Sequence, residues 1–305
     1  MSVFLFHLLT FLLRMLSLLP MRVLYILSDL FFYPLLYHVV RYRRRLVYRQ
    51  LSESFPDRDH TWIRRTERRF YHFLCDYVVE TIKLLTISDQ ELMNRVRFPN
   101  IDEMQDTLDA HRKPFGFFYL GHLGNWEWLA SFPLRLHNGW HGSQIYHPLR
   151  NPLADNFFIR LRQRFGSRCI PMRQTLRYIL RARAEKRREI VGFIADQSPK
   201  WEAMHFWTDF LHHPTSFFTG TERIAREVDA ALYYIRVTRP RRGHYEAWLI
   251  PLSLHPDELA PDEATRRYAA LLEEDIRRTP ELWLWTHNRW KRTYDEWIKR
   301  GGNLN

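Results

Sequence analysis

The sequence predicts an α/β fold, a central and mainly parallel sheet flanked by helices, preceded by an N-terminal apolar helical membrane anchor. Three observations predict it. Strand and helix signals alternate from Pro114 onward, as in successive βαβ units. The runs 115–120 and 189–195 are short and apolar and read as buried strands, the first aromatic-rich and bounded by Pro114 and Gly121. Polar residues arrive abruptly where each run ends, at His122 and at Asp196-Gln197, and the carboxyl ends of strands are where open α/β sheets bind ligands.

In chain order, residues 3–19 and 23–40 are apolar segments separated by Pro20. Neither has the basic start and small-residue cleavage site of a secretory signal. In the first, a dozen Leu, Phe and Val side chains offer about −4 to −7 kcal/mol of insertion free energy against about +2.5 to +3.5 for Arg14, so spanning is nearly balanced. The second carries Asp29, Pro34 and His38 and suits an interfacial or protein-covered helix better than a span. Arg41, Arg43, Arg44, Arg45 and Arg49 follow at once, a cluster that belongs beside anionic lipid on the cytoplasmic side. The chain therefore divides into a membrane anchor with a basic connector, 1–50, and an α/β domain, 51–305. Phe55-Pro56-Asp57 marks a linker. Helical spacing returns over 62–85, with Phe70, Phe73, Leu74, Tyr77, Val78 and Ile82 on one apolar face.

Beyond the first strand, 143–149 reads as a second. Asn151 as N-cap and Pro152 at the first helical position then start a helix to about residue 165. A very basic helix over 175–188 precedes the strand 189–195, and a helix over 217–228 follows it. Residues 233–237 and 244–250 form a closing hairpin, and 264–278 a last amphipathic helix that Pro280 stops. The stretch LWLWTHNRW, 282–290, mixes aromatic and basic residues as a buried brace or a membrane-interface belt would.

The candidate chemistry sits after the first buried strand. Asn125 is placed to cap a helix over 126–132, and Glu127 falls in its first turn, where a carboxylate is favoured. Five residues apart, His122 and Glu127 would face differently on one continuous helix, but a loop-to-helix junction can bring them together as base and orienter. With 15 His and 34 acidic residues, this spacing should arise by chance about 1.7 times, so its context carries the weight. The blander reading is a histidine bonded within a turn and a glutamate that only caps a helix. Arg150 lies at the same sheet edge, where it would hold a phosphate or polarise an oxyanion, or be a surface arginine in a turn. Asp196 would position an acceptor or Arg150, or merely end a strand. Spacing does not rank Arg160, Arg162 and Arg164 on the following helix.

Composition removes several classes of function. Only Cys75 and Cys169 are present, too few for a disulfide framework or a cysteine zinc site. No glycine-rich phosphate or dinucleotide loop occurs. His205, His212 and His213 match no metal signature. Ser198 and Cys169 lack a nucleophile elbow, which favours direct transfer with a histidine base over a covalent intermediate. No metal and no cofactor are expected. The net charge of +12 points to acidic partners: anionic lipid, nucleic acid or a negatively charged carrier protein.

Several stretches together resemble the late lipid A biosynthesis acyltransferases, the lauroyl and myristoyl transferases of the lysophospholipid acyltransferase superfamily. They are the His-x4-acid motif of His122 and Glu127 within GHLGNWEW, then YHPLRNP (146–152), GFIADQ (192–197) and PELWLWTHNRWK (280–291), with the apolar start, the arginine-rich connector and LSESFP (51–56) before them. The likeness covers nearly the whole chain. Asp209-Phe210-Leu211 departs from it, standing where members often carry Phe-Phe-Gly. The resemblance implies a glycerol-3-phosphate acyltransferase-like fold at the cytoplasmic face of the inner membrane, with acyl carrier protein thioester as donor and a phosphorylated glycolipid, a lipid A precursor, as acceptor. It assigns proton removal to His122 and tautomer control to Glu127, and leaves the oxyanion to Arg150 or to backbone N–H groups of residues 121–125, with Asn125 and Asp196 also at the site. A superfamily enzyme for another acceptor, an aminolipid or a mannosylated lipid, shares these motifs. A non-catalytic basic membrane protein would need neither His122 nor Glu127 and would release its ligand steeply with salt. Nucleic acid is not the expected partner.

Overall fold

The structure, a computed structural model, describes residues 3–303. Helices α1 (Val3–Ser17) and α2 (Met21–Leu27) open the chain, and α2 continues through π-helical stretches at Ser28–Phe32 and Pro34–Val39. Pro34 lacks the N–H that an α-helical ladder needs there, and the ladder shifts to five-residue spacing around it. Val40 N–H accordingly donates to the Leu35 carbonyl at 2.8 Å. Among the described residues no single helix is long and apolar enough to cross a membrane; α1 and Met21–Val39 reach that length only as a pair bent by 118°. The apolar anchor expected from the sequence is therefore not one spanning helix. Its outer face is nonetheless apolar, with Phe4, Leu30 and Val39 exposed by 76%, 75% and 72%.

Helices α3 (Arg44–Ser54), α4 (His60–Lys83) and α5 (Asp89–Arg95) follow, then the short strand β1 (Val96–Arg97) and α6 (Ile101–Ala110). The α/β core runs β2 (Phe115–Leu120), α7 (Trp126–Leu129), β3 (Trp140–Tyr146), α8 (Pro152–Gln163), β4 (Arg168–Pro171), α9 (Thr175–Ala184) and β5 (Arg188–Ile194). A two-stranded ribbon, β6 (Trp207–Phe210) and β7 (His213–Ser216), then leads to α10 (Gly220–Val228), the hairpin of β8 (Ala230–Arg241) and β9 (His244–Ser253), α11 (Glu263–Arg278) and α12 (Tyr294–Lys299). Seven strands form the main sheet in the order β1-β9-β8-β2-β5-β3-β4, parallel throughout except for the β8–β9 hairpin. The mainly parallel sheet and its flanking helices are as the sequence predicts.

Every residue of β2 is buried, because the strand sits mid-sheet with helices on both faces. Tyr119 stacks on Tyr268 of α11 with ring centroids 4.7 Å apart. The β2–β5 register runs from Phe115 opposite Glu189 to Leu120 opposite Ile194. Continued two residues past the strand ends, that register sets His122 beside Asp196. From β2 the chain crosses to β3 on one side, and from β5 to β8 on the other. Such a reversal opens a crevice at the carboxyl ends of the strands. Gly121 packs closely there: a Cβ on it would lie 2.6 Å from Leu272 Cδ1 of α11, which would have to shift.

The apolar face expected on α4 is real at Phe70, Phe73 and Leu74. The same helix also buries Glu67, Asp76, Glu80 and Lys83. Glu80 is fully buried and accepts from Tyr25 OH at 2.7 Å, Asn125 Nδ2 at 2.7 Å and Tyr245 OH at 2.8 Å. Burial raises its pKa, against the charge of Arg239 and the bonds from Asn125 and Tyr25. Asp76 accepts from Ser28 Oγ at 2.9 Å and from Arg239 Nη2 at 2.6 Å, and Arg242 reaches both Asp76 and Asp29. Lys83 Nζ donates to the carbonyls of Ser17 and Leu19. Through these charges α4 holds the N-terminal helices on one side and the sheet on the other. Because Glu80→Ala strands three buried donors, we expect a loss of about 3 kcal/mol in urea unfolding; a change under about 1 kcal/mol would show the network to be dispensable.

Candidate active site

His122 lies two residues past the end of β2, after Gly121, and the chain then turns through Gly124, whose φ of +65° lies in the left-handed region. Asn125 caps α7 as the sequence predicts, its Oδ1 accepting the Trp128 N–H at 3.0 Å. The cap is buried, and the amide nitrogen is spent on Glu80. Asn125 thus fixes the loop and faces no open space.

The His122 ring meets Asp196. The Nδ1···Oδ1 distance is 2.6 Å, and the His122 backbone N–H donates to Asp196 Oδ2 at 2.8 Å. Trp283 Nε1 donates to the same Oδ2 at 2.8 Å. A carboxylate at Nδ1 places the proton on that nitrogen and leaves Nε2 with its lone pair. Gln197 Nε2 lies 3.3 Å from His122 Nε2, and Trp126 packs edge-on against the imidazole at 4.9 Å. Burial alone would raise Asp196, but the His122 charge, the ring and backbone N–H donors of His122 and the Trp283 indole outweigh it and hold the carboxyl at about 2. The imidazole of His122 is therefore held by Asp196, with Nε2 turned away from the carboxylate.

Glu127, the orienter expected from the sequence, is engaged elsewhere. Both of its oxygens are taken by Arg162, Nε to Oε2 at 2.8 Å and Nη2 to Oε1 at 2.6 Å, a bidentate pair with Glu127 buried. The junction after Asn125 turns residue 127 away from residue 122 and toward α8. Arg162 is thereby distinguished from its neighbours on that helix. Arg164 donates to the carbonyls of Leu84 and Ile87, and Arg160 is exposed. Arg150 is exposed in the turn before α8, and its side chain has no partner among the described residues. Asp196 does not contact Arg150; it belongs to His122. Two backbone N–H groups considered for an oxyanion are also committed, His122 N to Asp196 and Gly124 N to the Leu282 carbonyl at 3.0 Å.

Trp283 and Gln197 were not singled out by the sequence. The aromatic stretch around Trp283 proves to be a buried brace: Leu284 N–H donates to the His122 carbonyl at 3.1 Å, and Leu123 and Trp283 form an antiparallel bridge. Gln50 fastens this segment from α3 through the carbonyls of Trp285 and His287, at 2.8 and 3.0 Å. Next to the site, a pocket of about 30 Å³ lies on the sheet face beneath α7, lined by Phe118, Leu120, Trp126, Leu129, Phe132 and Ile235.

Two substitutions test this arrangement. Asp196→Asn keeps the shape but offers the wrong partner to Nδ1, so the rate should fall by about 10³ to 10⁴ while the fold persists. Because the folded pKa lies below the ordinary value of 3.8, the wild-type carboxylate contributes about 2 kcal/mol above pH 4, lost as pH falls through 2; Asp196→Asn should flatten that part of the acid titration. Arg162→Ala leaves Glu127 buried and unpaired and should cost about 3 kcal/mol of stability, whereas a thermal melt indistinguishable from wild type would remove Glu127–Arg162 from the structural framework.

The chain matches the family described as bacterial lipid A biosynthesis acyltransferase over residues 1–292. No curated protein matches it. With a histidine held on a buried carboxylate at the carboxyl edge of a parallel sheet, and a family match across nearly its full length, the chain belongs to the bacterial lipid A biosynthesis acyltransferases and is an acyltransferase.

Proposed function

We propose that the protein moves a fatty acyl chain from acyl carrier protein to a hydroxyl of a lipid A precursor, working at the cytoplasmic face of the inner membrane. The observation that carries the reading is the 2.6 Å contact between His122 Nδ1 and Asp196, which leaves the Nε2 lone pair to the Gln197 amide and, in its place, to an acceptor hydroxyl. Nε2 takes the proton of the acceptor hydroxyl as its oxygen attacks the thioester carbonyl, and the ionised Asp196 stabilises the imidazolium that results. The new C–O bond forms, the tetrahedral intermediate collapses with loss of the C–S bond, and the departing thiolate recovers the proton from His122. The Gln197 amide, beside Nε2, is positioned to hold the hydroxyl or the developing oxyanion.

Direct transfer fits the state of Cys169 on β4, which burial pushes up to about 11, far from a thiolate at neutral pH. The pocket beneath α7 is apolar and begins beside Trp126, which suits the first carbons of an acyl chain. Glu127 and Arg162 take a supporting role in this scheme, locking α7 to α8 so that His122 faces the crevice. Arg150 offers an unpaired cation to an acidic carrier or a phosphorylated acceptor. The net charge of +12 and the exposed apolar residues of α1 and the π-helical stretches suit in-plane attachment to an anionic membrane.

Mass spectra of lipid A from cells carrying the intact gene, a deletion or His122→Ala test the proposal. Deletion and His122→Ala should both lose one acyl chain, and the mass difference gives its length. Unchanged lipid A in both strains would falsify the acceptor assignment and direct the search to other membrane lipids.

A further inference from the structure

A cavity of about 350 Å³ lies away from His122, between α1 and α8. Its walls are apolar at Phe6, Phe157 and Leu161, and cationic at Arg14, Arg160 and Arg164; no carboxylate lines it. Phe6 and Phe157 meet edge-on at 6.4 Å and join the two helices across it. Of the three arginines, Arg164 is occupied with the carbonyls of Leu84 and Ile87. Arg14 and Arg160 are exposed, and neither side chain has a hydrogen-bond or ion-pair partner among the described residues. Two unpaired guanidinium groups at the rim of a mainly apolar cavity describe an amphiphile: an anionic group for the rim and hydrocarbon for the walls. A free anion would find no use for the apolar walls.

Position strengthens the reading. Arg160 and Arg164 lie four residues apart and share one side of α8, while Arg162 between them points to the other side and holds Glu127. One helix therefore separates this cavity from the residue next to the catalytic loop, a thickness of about 10 to 12 Å. The cavity also lies against α1, whose outward residues Phe4, Leu8, Phe11 and Leu12 are exposed and apolar. A lipid lying in the membrane plane would meet it without leaving the bilayer surface.

We propose that Arg14 and Arg160 bind a phosphate of the lipid acceptor, and that the cavity between α1 and α8 receives part of its hydrocarbon, setting the acceptor's hydroxyl toward His122. This site rests on the proposed function and adds to it the residues that select a phosphorylated acceptor. The test is steady-state kinetics of the full-length protein in mixed micelles, with a phosphorylated lipid A precursor and the same lipid dephosphorylated. In Arg14→Gln/Arg160→Gln, KM for the phosphorylated acceptor should rise about tenfold or more, with a smaller change in kcat and no change in KM for the dephosphorylated one. Arg14→Lys/Arg160→Lys, which keeps the charge, should recover most of the loss. Equal KM shifts for both acceptors, or no shift for either, overturn the site. Transfer to neither acceptor by the wild-type protein would instead refute the proposed function. The site is then read by co-sedimentation with vesicles containing phosphatidic acid, where equal binding by wild type and Arg14→Gln/Arg160→Gln overturns it.

Discussion

The Asp196 carboxylate is the constraint on which the site depends. It accepts from the backbone and the ring of His122 and from the indole of Trp283, three donors from two distant parts of the chain. A buried carboxylate is costly unless its lone pairs are filled, so each donor fixes the position of its own segment. The loop after β2 cannot swing, because its first N–H is spent on Asp196. The segment after α11 cannot lift, because its indole closes the carboxylate from the far side. The β2–β5 register had already placed residues 122 and 196 opposite one another, and the carboxylate converts that alignment into a defined imidazole tautomer.

A second buried carboxylate, Glu80, does for the scaffold what Asp196 does for the site. It gathers Tyr25 from α2, Asn125 from the loop after β2 and Tyr245 from β9. Hydrophobic residues of matching shape could fill this volume at lower desolvation cost, but they would not specify which three elements meet there. The cap of α7 is one of those elements, so the loop carrying His122 is referenced to the N-terminal helices through a single side chain. The Asp29–Arg242–Asp76 cluster repeats the link at the hairpin end.

The fold was legible in the sequence wherever one local rule decided an element. β2 runs as expected from its apolar run and its flanking proline and glycine, and Asn151-Pro152 starts α8 with the Asn151 side chain accepting from Leu153 and Ala154. His122 and Asp196 were legible as polar residues at strand ends. Their pairing was not, because it follows from strand order, and nothing local says that β5 lies beside β2. The same blindness assigned Glu127 to His122: the two are near in sequence, and only the packing of α8 against α7 gives Glu127 a better partner. The buried acids of α4 escaped notice because an apolar periodicity counts hydrocarbon and passes over charges that fall on the same face. The bend between α1 and α2 likewise depends on what the helices pack against.

Trp283 stands near the far end of the chain, yet it completes the hydrogen-bonded shell of a residue more than eighty positions earlier. During synthesis, the N-terminal apolar helices emerge first, while the sheet is still being made. The hydrogen-bonded shell of Asp196 is not complete until the segment after α11 has left the ribosome. A chain cut short before residue 283 would therefore lack the indole that closes the Asp196 carboxylate from its far side.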